Sequence, residues 1–260
     1  MAKVIAIVNQ KGGVGKTTTT INVGVGIAQH SKSVLLIDMD SQGNLSSGLG
    51  CKVRRGQHTI RDTLLSAGNG AMTNPFKGIV SNREEHLDIM PANKQLFAFE
   101  RSIKDNGDAP FLLERFVNGV RGRYEYILID CSPSLGVLTQ NALVAADSVI
   151  IPVDPEFFGL EGVKVITDTM KLVKKGMNPD LYLEGIVIVR RNNVSIVKRT
   201  NVEQLRQRYG DKVFRTELPS SVKASEAAAC GMSLLRYQRW NHLARAYASL
   251  VEEVLANERQ

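Results

Sequence analysis

The chain has 260 residues, 43% of them hydrophobic, and carries a formal net charge of +7. That is enough apolar material for one large α/β core, so residues 1–260 are expected to form a single domain. No apolar run nears the ~18 residues of a membrane span, the first strand begins too early for a secretory leader, and Cys51, Cys131 and Cys230 are too isolated for a disulfide framework or a zinc site. A cytoplasmic protein is expected.

Residues 3–8 are rich in β-branched side chains, as in a strand buried on both faces of a parallel sheet. Residues 9–18 follow as Asn-Gln-Lys-Gly-Gly-Val-Gly-Lys-Thr-Thr, and residues 17–29 carry Ile21, Val25 and Ala28 at helical spacing. Strand, glycine-rich loop and helix stand in the order of a phosphate-binding loop. Residues 33–37 read as a second strand leading into Asp38, Met39 and Asp40, and residues 59–67 as a short helix. Weaker apolar segments at 78–80 and 87–90 precede helical stretches at 94–103 and 110–120. Residues 125–129 form a strand that runs into Asp130, 148–153 another, 160–175 a helix and 183–189 a further strand. Helices are expected at 197–209, 222–230 and 240–256. The alternation predicts an α/β fold of the P-loop NTPase type: a mainly parallel twisted sheet with helices on both faces and the ligand at the carboxyl ends of the strands.

The chemistry of the loop follows from its residues. Lys11, Gly12, Gly13, Val14, Gly15, Lys16, Thr17 and Thr18 make the phosphate cradle, in which Lys16 reaches the β- and γ-phosphates of ATP and the Thr17 hydroxyl ligates magnesium. The consensus would place its first glycine where this chain has Gln10, and a second lysine, Lys11, comes next. Asp130 ends an apolar strand, as a carboxylate that holds magnesium through water does. Asp40 lies further into its loop than Asp38. It is placed to contribute to the magnesium site and to orient or deprotonate the attacking water, whereas Asp38 supports the metal shell or the loop.

The segments KGGVGKTT, LLIDMDSQGNLSSGLG, YILIDCSPSLGVLTQNALVAADSVIIPV and EFFGLEGV resemble those of partitioning ATPases of the ParA/Soj type. These belong to the deviant Walker A group, which also contains MinD and the nitrogenase iron protein. The resemblance runs through essentially the whole chain. It implies an ATPase that forms a nucleotide-sandwich homodimer with ATP, in which Lys11 reaches the phosphates of the other subunit. A lysine supplied in trans neutralises γ-phosphate charge and ties dimerisation to the triphosphate, like an arginine finger. The resemblance also makes Lys11, Lys16 and Asp40 the catalytic set and puts Gln42 and Asn44 in the following switch. Asn141 and Glu161 would face the nucleotide and the dimer interface, and the main chain at Leu218, Pro219 and Ser220 the adenine. A ParB-type centromere-binding partner is implied, with slow basal hydrolysis that DNA and the partner stimulate.

Charge points to the second ligand. Residues 185–245 hold 12 Lys/Arg against 4 Asp/Glu, an electrostatic footprint for a phosphate backbone. In the family it corresponds to a sequence-independent DNA surface completed by dimerisation, and a nucleoid-associated protein is expected. Candidate contacts are Arg190, Arg191, Lys198, Arg199 and Lys223. Residues 219–227, Pro-Ser-Ser-Val-Lys-Ala-Ser-Glu-Ala, resemble the family's Pro-Arg-Asn-Val-Arg-Leu-Ser-Glu-Ala, with Ser220 in place of one arginine and Lys223 in place of the other. The sheet begins at residue 3, so no N-terminal helix-turn-helix domain is expected. The C-terminal stretch carries Glu252, Glu253 and Glu258 and lacks the basic amphipathic character by which MinD-type proteins reach lipid. No membrane partner is expected, and a MinD-like positioning ATPase is the alternative.

Overall fold

The computed structural model describes residues 1–103, 107–156, 159–190 and 196–257. In chain order the elements are β1 (Lys3–Ile7), α1 (Lys16–Gln29), β2 (Val34–Met39), α2 (Asn44–Gly48), α3 (Ile60–Gly68), β3 (Val80–Asn82), β4 (Leu87–Met90), α4 (Gln95–Ser102) and α5 (Leu112–Val120). They continue with β5 (Tyr126–Cys131), α6 (Val137–Ala145), β6 (Ser148–Val153), α7 (Gly159–Gly176), β7 (Tyr182–Arg190), α8 (Ile196–Tyr209), β8 (Val213–Pro219), α9 (Lys223–Ala229), α10 (Leu234–Tyr237) and α11 (His242–Ala256).

The eight strands form one sheet in the order β3-β4-β2-β5-β1-β6-β7-β8. Every pairing is parallel except β3 with β4 at one edge. The chain leaves β1 in one direction, to β2, and leaves β5 in the other, to β6, so the carboxyl end of β1 lies where the strand order reverses. Open sheets bind ligands at such a point.

Because side chains alternate along a strand, each central strand serves two cores. Val4 and Ala6 join the core under α3, α5, α6 and α7, whereas Ile5 and Ile7 join the core under α1 and α11. The same alternation sorts β2 and β5. Leu35, Ile37 and Met39 face the first core with Ile127, Ile129 and Cys131; Val34 and Leu36 face α1 with Tyr126 and Leu128. Continued by two residues, the α1-facing rows end in Asp38 and Asp130, which are register partners across β2 and β5. Cys131 falls on the opposite face and is a buried core residue.

Four of these elements, α2, α6, β8 and the four-residue α10, were not expected from the sequence. Helix α6 is buried nearly all round, Leu138, Thr139, Asn141, Ala142 and Leu143 included, so its pattern has no polar stripe to reveal a helical period. Strand β8 is an edge strand with exposed Arg215 and few apolar residues. Helix α2 has five residues, too short for periodicity to register.

Candidate nucleotide-binding site

The loop between β1 and α1 folds as its glycines require. Gly13 and Gly15 have φ of 70° and 93°, in the left-handed region that a side chain resists. Entry to the loop is pinned by Asn9, a buried residue that sequence reasoning did not single out. Its side-chain amide donates to the Pro152 carbonyl at 2.6 Å, and its Oδ1 accepts from the Lys11 N–H at 2.8 Å. Asn9 thereby ties the loop to the end of β6.

Lys16 is buried, and its Nζ donates to the Lys11 carbonyl at 3.2 Å. Burial lowers its pKa, while the nearby carboxylates of Asp130 and Asp40 oppose that shift. The structure therefore brings Lys16, Asp130 and Asp40 within electrostatic reach of one another. Thr20, one turn into α1, donates to the Lys16 carbonyl at 3.0 Å and to Asp130 Oδ1 at 3.3 Å.

Asp38 and Asp130 are both fully buried. Burial pushes Asp130 up to about 8, reinforced by repulsion from Asp38 and opposed by the Thr17 hydroxyl. Burial also raises Asp38, to about 6, against hydrogen bonds from Ser46. Their surroundings differ. Asp38 Oδ2 accepts from the Ser46 N–H at 2.9 Å and the Ser46 Oγ at 2.6 Å, and Oδ1 from the Asp40 N–H at 3.2 Å. Asp38 thus supports the loop that leads into α2. Asp130 Oδ2 has no hydrogen-bond partner among the described residues. A buried carboxyl oxygen left without a partner near the hydroxyl of Thr17 suits a hard cation, which would favour the ionised form. No group of three or more His, Cys, Asp or Glu side chains among the described residues could hold a metal alone, so such an ion would share its shell with phosphate and water.

Asp40 is half-buried at the end of β2, and its Oδ1 accepts from the Gln42 N–H at 3.0 Å. Gln42 and Asn44 are exposed on the segment it opens, and Gly43, with φ of 65°, caps α2. Ser46 joins this segment to the next connection, accepting at Oγ from the Ala92 N–H at 3.1 Å.

Lys11 is placed quite differently from Lys16. Its side chain is 40% exposed and its Nζ lies 2.7 Å from Glu156 Oε2 and 3.6 Å from Asp154 Oδ2. The cleft it occupies is lined by Asn9, Asp154, Glu156, Gly159 and Glu161. Asp154 and Glu156 follow β6, the neighbour of β1, a placement that the strand order alone supplies. Lys198 reaches the same pair, 3.5 Å from Asp154 Oδ1 and from Glu156 Oε1.

Asn141 and Lys198 are placed otherwise than expected. Asn141 is fully buried, with its polar atoms on backbone groups: its amide donates to the carbonyls of Ala109 and Val137, and its Oδ1 accepts from the Leu113 N–H. It is a clamp between α6 and the start of α5. Lys198 is turned inward, its side chain 15% exposed and held by two carboxylates, rather than presented to solvent. Leu218 packs into the core, and the Ser220 carbonyl accepts from His242 Nε2 at 3.2 Å. Of the remaining basic residues, Arg199 is exposed on α8, and Lys223 is half-exposed and paired with Glu226 at 2.7 Å. Arg190 ends β7 opposite Pro219, and Arg191 lies outside the described residues.

Comparison with known proteins accounts for this assembly. A family model described as an AAA domain matches residues 2–183. The sporulation initiation inhibitor protein Soj of Bacillus subtilis is 40% identical over 99% of this chain and 100% of its own length. The chain belongs to the ParA/Soj family. The chromosome partitioning protein ParA of Myxococcus xanthus is 37% identical, over 99% of this chain and 89% of its own. Among solved structures, a Mycobacterium smegmatis cobyrinic acid a,c-diamide synthase with bound ADP and magnesium superposes with a TM-score of 0.84 at 29% identity, covering 100% of this chain and 96% of that one. The septum site-determining protein MinD of Pyrococcus horikoshii, complexed with Mg-ADP, gives 0.77 at 26% identity, covering 100% and 99%. These ParA/Soj and MinD relatives share the fold in which the loop, Asp40 and Asp130 are set.

Proposed function

We propose that this protein is a DNA-partitioning ATPase whose oligomeric state is set by ATP. The observation that carries the reading is the contrast between two lysines of one loop. Lys16 is buried beside Asp130, whereas the Lys11 side chain is turned to the acids that follow β6, 40% exposed and paired with the half-exposed Glu156 and, at longer range, the buried Asp154. A lysine so placed contributes little to its own subunit's phosphates and is available to a second one. The Soj and ParA names of the relatives, and the bound nucleotide and magnesium of the solved neighbours, support the same assignment.

In this reading Thr17, Asp130 and Asp40 would hold magnesium, partly through water, and the ion would supply neutralisation of phosphate charge. Lys16 and the main chain of residues 11–18 bind the phosphates. Asp40 positions the attacking water, and its contact to the Gln42 N–H ties that role to the segment around α2. Lys11 completes the partner's site and stabilises charge that develops on the γ-phosphoryl oxygens. Hydrolysis is slow until DNA and a ParB-type partner stimulate it, because a dimer that must persist on DNA needs a lifetime set from outside. Arg190, Arg191, Arg199 and Lys223 are the proposed DNA contacts, which dimerisation doubles, and the protein works in the cytoplasm on the nucleoid.

Lys11→Ala tests the reading. The variant should keep ATP binding within about threefold, since Lys16 still serves the subunit's own phosphates, and lose the ATP-dependent dimer in sedimentation velocity. An undiminished dimer would overturn the trans role. Asp40→Ala should trap the dimer and lengthen its residence on DNA. Co-sedimentation with DNA and with anionic liposomes separates the MinD-like alternative. In α11 the apolar residues Leu250, Val251 and Val254 are already buried in the core, which favours DNA.

A further inference from the structure

Trp240 is the single tryptophan of the chain, and it is 72% exposed. Large aromatic surface left in water forgoes stabilisation that burial would give. The Arg239 guanidinium lies over the indole, 4.6 Å from the ring centroid, a cation–π contact that presents a positive charge beside a flat apolar surface. The turn carrying both is well tied. The Asn241 N–H donates to the Gln238 carbonyl at 2.9 Å, Asn241 Oδ1 caps α11 through the Leu243 N–H at 3.0 Å, and His242 donates to the Ser220 carbonyl. Three residues before Trp240 in the chain, the Tyr237 hydroxyl and Lys223 Nζ both donate to Glu226 Oε2, at 3.1 and 2.7 Å.

Aromatic rings interleaved with cations suit a ligand that offers both phosphates and π-faces. Within a duplex the bases are stacked on one another and offer an indole no free face. An unpaired base does. Lipid would favour apolar neighbours around the tryptophan, yet Gln238, Arg239, Asn241 and His242 are polar. The excess of Lys/Arg over residues 185–245 complements a phosphate chain. We infer that Trp240 and Arg239 form a stacking platform for an unpaired nucleobase, so that the protein binds single-stranded DNA in addition to duplex. This rests on the DNA-binding reading above and adds a mode that the duplex surface does not require.

The lone tryptophan makes the test direct. An oligothymidylate should quench the intrinsic fluorescence of the full-length protein, whereas a duplex of equal length and Mg-ATP alone should quench it little. Trp240→Ala should weaken the affinity for labelled oligothymidylate, read by anisotropy, roughly 5- to 150-fold, the worth of one stacked base. Trp240→Phe should recover much of the loss, and Arg239→Ala should fall between. Unquenched fluorescence, or oligothymidylate binding by Trp240→Ala at the wild-type level, would overturn the inference. So would equal quenching by Mg-ATP alone, or a blue shift seen only with anionic vesicles. If the wild type also fails to co-sediment with duplex in the presence of ATP, the DNA-binding reading itself fails; if duplex binding persists, only the platform does.

Discussion

At the carboxyl ends of β2 and β5, charged groups lie in the interior and are surrounded by others that answer them: Asp38 by Ser46, Asp130 by Thr20, Lys16 by the Lys11 carbonyl. On the flank formed by α8 and α9, charge lies near the surface and is partly spent on neighbours, as Lys223 is on Glu226; Lys198, turned inward to Asp154 and Glu156, is the exception. In the first region each group is placed to within hydrogen-bond distance and desolvation amplifies its effect. In the second, solvent screens each contact and only the sum of charges matters. The nucleotide end should therefore be sensitive to single substitutions, and the basic flank tolerant of them.

The largest effect is expected at Lys16. Lys16→Ala should lower ATP affinity about 100-fold, since charge-assisted contacts in a desolvated site are worth several kcal/mol together; calorimetric titration measures it. Ser46→Ala should cost about 1–3 kcal/mol of stability in denaturant titration, because it removes one of three hydrogen bonds to the buried Asp38 carboxyl and leaves the Ala92 N–H without its acceptor. A change of merely a few tenths would mean that Asp38 is not held as its geometry indicates.

Proton linkage sharpens the same contrast. Asp38 and Asp130 bind protons more tightly in the folded chain, at about 6 and about 8, than in the unfolded chain, near 3.9. Their stabilising contribution is thus complete below about pH 4 and is lost as pH rises to about 8. The nucleotide-free protein should lose at least about 1.4 kcal/mol over that window, the worth of one pKa unit, and Mg-ATP, which favours ionised Asp130, should flatten the slope. On the basic flank, Arg199→Ala should reduce the salt dependence of duplex binding by about 0.9 in slope, one phosphate contact. Lys198→Ala should change it least, because that side chain already has carboxylate partners. A large effect at Lys198 would show that its ion pairs open on DNA.

Much of this site was legible in the chain itself. The spacing of Gly13, Gly15 and Lys16 and the apolar runs before Asp38 and Asp130 report local requirements: positive φ, a helix start, a strand end. Such requirements act over a few residues and leave a pattern in sequence. Asn9, Ser46, Asp154 and Glu156 left none, because their partners lie in other segments: Asn9 meets Pro152, Ser46 meets Asp38 and Ala92, and the two acids meet Lys11 and Lys198. Asn141 shows the opposite failure. A polar residue in a familiar stretch suggested a ligand contact, whereas packing closed α6 around it and its amide was needed to satisfy backbone groups of α5 and α6.

By itself, then, the sequence determined the phosphate loop, the alternation of strands and helices and the excess of positive charge, since each depends on near neighbours or on composition. Only the tertiary structure decided which charges are available. Strand order sets β6 beside β1 and so gives Lys11 its acidic partners, and period-two alternation turns Asp38 and Asp130 toward α1. The packing of α8 takes Lys198 out of solvent, and the turn before α11 leaves Trp240 in it.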